Sequence, residues 1–169
     1  MRGRGREEYC RAQKQDDDGV PAIHLDYMFM GEENEDKTLA VLVARERYTK
    51  ATFATVVPRK GTDQWAPRRL LAWMREIGLE HNDVVVRSDN EPALLQVVHR
   101  AVAALKMSGV DHVVEEGSVP YDPQTKGAAE STVKLMKGMF KVVLLGLERQ
   151  LNARIPLDHP IISWLLMHG

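Results

Sequence analysis

Three carboxylates in this chain have settings that could do chemistry: Asp26, Asp89 and Glu130. Asp26 lies in the middle of Pro21 to Met30 (PAIHLDYMFM), an otherwise largely apolar run of alternating pattern. An ionised carboxylate inside such a run is costly unless it is paired or metal-bound. Asp89 closes the short stretch DVVVRSD. In α/β sheets the carboxyl end of a buried strand is where ligand sites gather. Glu130 lies in the first turns of an amphipathic helix that comes after a Gly/Pro-bounded polar loop, within Gly117 to Lys137 (GSVPYDPQTKGAAESTVKLMK). If the strands bearing Asp26 and Asp89 are neighbours, the two acids lie side by side and Glu130 can close over them. Three carboxylates in one site need about two divalent cations to neutralise them, and oxygen-only ligands favour Mg²⁺ or Mn²⁺ over zinc. Two such ions about 3.5–4 Å apart stabilise both the attacking and the leaving oxygen of a phosphodiester displacement.

Each acid also has an ordinary structural use. Asp26 could meet an arginine or water at a sheet rim. Ser88, Asp89 or Asn90 would each cap a helix opened by Pro92. Glu130 could simply pair with Lys134 on an exposed helix face, for about 0.2–0.5 kcal/mol. The residues after Glu130 fit a second use equally well. Lys134, Lys137 and Lys141 recur at steps of four, three and four and share one narrow stripe with it. Val133, Met136, Phe140, Val143 and Leu147 form a neighbouring, core-facing stripe. An acid at the edge of a buried surface, with a row of cations beyond it, suits a metal-bound polyanion. The whole chain carries a net charge of −1, yet Gln124 to Arg154 holds six basic residues against two acids, a local +4. Such a face attracts phosphates through counterion release.

The elements that must position these groups are legible in outline. With 169 residues and 44% hydrophobic content, the chain can bury one sizeable core. Pro21 to Met30, Thr38 to Arg47 and Lys50 to Pro58 read as an antiparallel meander of three strands. Asp63 to Ile77 has helical spacing, with Trp65, Leu70, Trp73 and Ile77 on its apolar side and Gly78 as a stop. Asp83 to Ser88 reads as a central strand. Glu91 to Met107 reads as a helix opening at Pro92, and Asp111 to Glu116 as a fifth strand. The long helix around Glu130 and a last one over Leu157 to His168 complete the order. It implies an α/β fold, a mixed five-stranded sheet with helices on both faces. Residues 1–19, with five basic and five acidic residues and almost no apolar content, read as a disordered tail, leaving 20–169 as one domain. The single cysteine, Cys10, excludes an internal disulfide framework and a cysteine-based zinc site. No apolar run spans a bilayer and no leader opens the chain, so a soluble intracellular protein without a membrane partner is expected.

From about Ala22 onward the sequence resembles the catalytic core of retroviral and retrotransposon integrases, members of the ribonuclease-H-like DDE superfamily. Three blocks carry the resemblance: HLDYMFM, RSDNEPALL and VPYDPQTKGAAESTVKLMK. The run Pro-Tyr-x-Pro-Gln-x-x-Gly-x-x-Glu, ending at Glu130, is its most specific element. The resemblance implies a polynucleotidyl transferase that hydrolyses retroelement DNA near a 3′ end and joins it to target DNA. Asp26, Asp89 and Glu130 would be the catalytic metal ligands, holding two Mg²⁺ or Mn²⁺ ions when DNA is bound. Tyr121, Gln124 and Lys126 would lie in the flexible loop that meets the DNA end, and Lys134 and Lys137 would contact its phosphates. A homodimer or larger assembly is implied, and a nuclear location if the element is active in a eukaryote. His24 and His112 read as strand residues with satisfied hydrogen bonds, since two-metal chemistry needs no histidine. The chain departs from the family in three ways. Forty residues separate Asp89 from Glu130, Glu91 comes directly after Asn90, and no flanking zinc or β-rich DNA-binding domain is recognisable. The last point suggests an excised core or gene fragment, and with it a rival reading: a domesticated or truncated remnant that binds DNA or a partner protein without catalysis.

Overall fold

The computed structural model describes residues 19–31, 38–58, 60–61, 64–107, 109–110, 112–117 and 123–168, with the side chains of 123–126 and 128–129 outside that set. The expected tail at 1–19 therefore falls, Gly19 apart, outside the described residues. The elements run β1 (Ala22–Met30), β2 (Leu39–Glu46), β3 (Thr52–Val56), α1 (Trp65–Glu76), β4 (Val84–Ser88), α2 (Pro92–Met107), β5 (Val113–Gly117), α3 (Pro123–Leu151) and α4 (Pro160–His168). The sheet order is β3-β2-β1-β4-β5. β1, β2 and β3 pair antiparallel, while β4 pairs parallel with β1 and β5 with β4. This is the mixed five-stranded sheet that the element order implies.

Period-two alternation divides β1 between two cores. Ile23, Leu25 and Tyr27 join Leu42, Ala44, Val84 and Val86 against α1 and α2, through Leu70, Trp73, Leu94 and Val98. Met28 faces the other way and joins Val41, Val43 and Ala54 under Phe140 of α3 and Ile162, Leu165 and Leu166 of α4. Fully burying each of these large side chains contributes about 1.5–3 kcal/mol, which fixes the register and with it the face on which Asp26 lies. Local signals set the joints. Gly78 (φ 77°) and Gly109 (φ 97°) take up the left-handed turns after α1 and α2. At the β2–β3 turn the buried Glu46 accepts hydrogen bonds from Tyr48 N at 2.9 Å and from Thr49 N and Oγ1 at 2.5 and 2.7 Å.

Three details differ from the pattern reading. Trp65 is 49% exposed, with Arg69 over its ring, because it opens α1 beyond the edge of the core. On α3 it is Leu144, not Val143, that packs inward; over a helix this long the 3.6-residue period drifts away from a strict three-four alternation. Finally, α3 begins at Pro123, so the stretch 123–129 is helix rather than loop. Proline's preset φ and missing N–H suit a first helical position.

Candidate functional site

The parallel register of β1 with β4 matches His24 to Arg87 and Leu25 to Ser88. One step further, where β4 ends, Asp89 stands beside Asp26. The topology thus meets the condition that the sequence left open. Asp26 is half-buried and Asp89 is exposed. Tyr27 N donates to Asp26 Oδ1 at 2.7 Å, and Asn90 N donates to Asp89 Oδ1 at 3.1 Å. Burial pushes the Asp26 carboxyl above its ordinary pKa against the pull of the Tyr27 hydrogen bond. The negative charges of Asp89 and Glu91 raise it further, and Lys60 opposes them. Repulsion between two carboxylates set together in this way is what a divalent cation would relieve.

Two loops brace the pair. Asn90 lies over the end of β5: a Cβ at Gly117 would fall 2.6 Å from Asn90 Oδ1, so the absence of a side chain at 117 makes room for it. On the other side Lys60 Nζ meets Glu91 Oε1 at 2.5 Å and stands 4.9 and 4.5 Å from the ring centres of Tyr27 and Phe29. Next to it Gly61 (φ 77°) runs so close to α2 that a Cβ would sit 3.0 Å from Ala93 Cα. In the sequence Glu91 is legible only as an extra charge. Lys60 carries no signal there, because its partner lies 31 residues away.

Glu130 is exposed in the third turn of α3. Among the described residues no three His, Cys, Asp or Glu side chains meet closely enough to hold a metal ion. The structure thus brings Asp26 and Asp89 together without gathering Glu130 to them. Lys134, Lys137 and Lys141 are exposed along α3 as the stripe requires. Lys137 and Lys141 line an open groove with Arg154, Phe29 and Phe140, which Glu148 and Asp158 also border. Gln124 and Lys126 lie in the first turn of α3, and Tyr121 lies outside the described residues. His24 is held to a pKa of about 4, first by burial and then by the charges of Arg87 and Arg47, so it is neutral at physiological pH.

No family model matches this sequence, and no characterised protein matches it at the level of sequence. Solved structures do match its fold. A chain of the simian T-cell lymphotropic virus intasome in complex with the PP2A regulatory subunit B56 gamma aligns at a TM-score of 0.56 and 18% identity, covering 86% of this chain and 46% of that one. The HTLV-2 integrase catalytic core domain in complex with magnesium aligns in its dimeric form at a TM-score of 0.50 and 15% identity, over 87% of this chain and 85% of that one. Its trimeric form aligns at 0.50 and 14%, over 86% and 81%. The chain therefore spans about half the length of the intasome chain it matches and most of the isolated core. Its five-stranded mixed sheet with helices on both faces is the ribonuclease-H-like fold of the integrase catalytic cores.

Proposed function

We propose that this chain is the core of a polynucleotidyl transferase for DNA integration, acting by 3′-end hydrolysis and strand transfer of retroelement DNA. The observation that carries this reading is the Asp26–Asp89 pair at the carboxyl end of β4, with the Asp26 carboxyl raised by burial and by its neighbour. Two adjacent carboxylates fit Mg²⁺, which proteins hold through one or two acids with water and substrate phosphates completing the shell. Mn²⁺ takes the same oxygen ligands. Asp26 and Asp89 would hold the metal, and Glu130 would complete the set once DNA draws α3 and the pair together. Bound divalent ions would supply charge neutralisation and polarise the phosphodiester.

The chain's other groups bind and orient. The exposed stripe Lys134, Lys137 and Lys141 offers cations to the DNA backbone, and Gln124, Lys126 and Tyr121 precede it at the entrance to α3. Catalysis would then come from positioning and from charge already in place before the reaction. Assembly as a homodimer or larger oligomer belongs to the same proposal. It is supported by the fold shared with cores solved in dimeric and trimeric forms.

One observation favours the rival, a remnant that binds DNA or a partner protein without catalysis: Glu130 is not gathered with the pair among the described residues. Purified chain supplied with Mn²⁺ and a branched integration intermediate separates the two. Turnover that is lost in Asp89→Asn and in Glu130→Gln supports the transferase. No turnover, or equal turnover by Asp89→Asn, supports the remnant.

A further inference from the structure

We propose that Arg45, His24 and Arg87 form a second phosphate-binding subsite on the sheet, one side-chain step before Asp26, that takes the backbone of a nucleic-acid strand whose neighbouring phosphate lies at the Asp26–Asp89 pair. This deepens the functional reading above and rests on it for the position of the scissile phosphate. Sheet register places the three residues in one row. His24 pairs with Arg45 across the antiparallel β1–β2 ladder and with Arg87 across the parallel β1–β4 ladder. Residues directly opposite each other across a sheet project to the same face, with Cβ atoms about 4.5–5.5 Å apart. His24 and Asp26 are two positions apart on β1 and so share that face, separated by about 6.6 Å along the strand. Helices α3 and α4 pack on Met28, Val41, Val43 and Ala54, further along the same face, while His24, Arg45 and Arg87 are only half-buried.

The charges in the row are incompletely matched. Arg87 Nε donates to Glu116 Oε2 at 2.7 Å, which leaves the other edge of its guanidinium fork for an anion. Arg45 Nε is buried with no hydrogen-bond partner among the described residues, an expensive state for a charged donor unless a ligand completes it. Arg47 and Lys50, at the turn after β2, add positive field at His24. Arg45, Arg87, Arg47 and Lys50 thus gather about His24, with Glu116 beside Arg87 and Asp26 one step along the same face. Arg45 and Arg87 stand one strand to either side of His24, and an anion held between them would offset the field of both. Guanidinium forks match phosphate oxygens in pairs. The row continues directly into the Asp26–Asp89 pair, so a polymer with phosphates at regular spacing fits better than a single free anion.

The test is binding of a fluorescein-labelled single-stranded oligonucleotide to the full chain by anisotropy, in EDTA, at several salt concentrations. Arg45→Gln and the charge-neutral double variant Arg87→Gln/Glu116→Gln should each weaken binding about three- to tenfold. Each should also lower the slope of log K against log salt by about 0.7 for every phosphate that is no longer neutralised. Lys106→Gln, which removes an equal charge at the far end of α2, should do neither. The double variant keeps the test decisive if Arg45→Gln fails to fold. Affinity and slope unchanged in the row variants, or an equal weakening in Lys106→Gln, would overturn the subsite. Calorimetric Mn²⁺ titration of the same proteins separates the two readings. Wild type that takes up no Mn²⁺ refutes the metal pair, whereas row variants that bind Mn²⁺ normally but lose the oligonucleotide support the row.

Discussion

Asp26→Asn should shift the stability of this protein in opposite directions with and without Mn²⁺. Burial and the charge of Asp89 raise the folded-state carboxyl above its ordinary 3.8, so ionisation costs more in the folded chain than in the unfolded one. That penalty is absent below pH 3.8, grows as pH rises from 3.8 to the raised value, and is complete above it. Neighbouring strands lie about 4.8 Å apart, which sets the carboxylates about 6 Å from each other. At that distance the repulsion is about 0.7 kcal/mol at the dielectric of water and about 2.8 kcal/mol at an effective dielectric near 20. Asp89 is exposed, so the lower part of the range applies, about 1 kcal/mol. Asparagine keeps an oxygen for the Tyr27 N–H and removes the charge. In EDTA at pH 7 the variant should therefore melt about 2–4 °C above wild type, a gain that fades as pH falls through the raised value towards 3.8. With Mn²⁺ at about a hundred times its dissociation constant, wild type should gain about 2.7 kcal/mol, or roughly 5–11 °C, and the variant should gain almost nothing. Circular-dichroism melts in the two buffers read both effects. A variant less stable than wild type in EDTA at neutral pH, or one with an undiminished Mn²⁺ shift, would refute the reasoning.

Three further substitutions test the scaffold around the pair. Glu46 is buried: desolvation works to raise its pKa, but the donors of Tyr48, Thr49 and Arg47 outweigh it and hold the carboxyl below its usual 4.5. Glu46→Gln should cost about 1.5–3 kcal/mol at pH 7, and denaturant titrations should show the deficit closing as pH falls through the depressed value. Gly61→Ala meets both a left-handed backbone and Ala93 Cα at 3.0 Å. Strain of about 1–2 kcal/mol plus overpacking of about 1–3 kcal/mol should lower the calorimetric midpoint by roughly 4–20 °C. Gly117→Ala drives a Cβ to 2.6 Å from Asn90 Oδ1, so Asn90 must turn aside at about 0.5–1.5 kcal/mol. Calorimetry should show weaker Mn²⁺ binding beside the displaced Asn90, and unchanged binding would mean that Asn90 does not steady Asp89.

Local chemistry wrote much of this fold into the sequence. Alternation in AIHLDYMFM gives β1 and assigns Asp26 and His24 to one face whatever the partner strands are. Gly78 and Gly109 set the turns after α1 and α2, and Pro92 opens α2, through backbone preferences that need no distant contact. Where the patterns mislead, burial depends on what lies opposite. Trp65 is apolar and correctly spaced for a core position, yet it is the first residue of α1 and stands half exposed at that helix's end. The resemblance implies a loop at Gln124 and Lys126, yet α3 already opens at Pro123, because proline at a first helical turn is as compatible with a helix as with a loop.

Residue types and their order named Asp26, Asp89 and the lysine stripe as candidates, because cost of burial and helical spacing are properties of short segments. Only the folded sheet could say that β4 lies beside β1, that Lys60 reaches Glu91, and that His24 stands between two arginines. Those are contacts between segments far apart along the chain. Their register is fixed by how two separate hydrophobic cores close on opposite faces of the sheet, which no single stretch of sequence encodes.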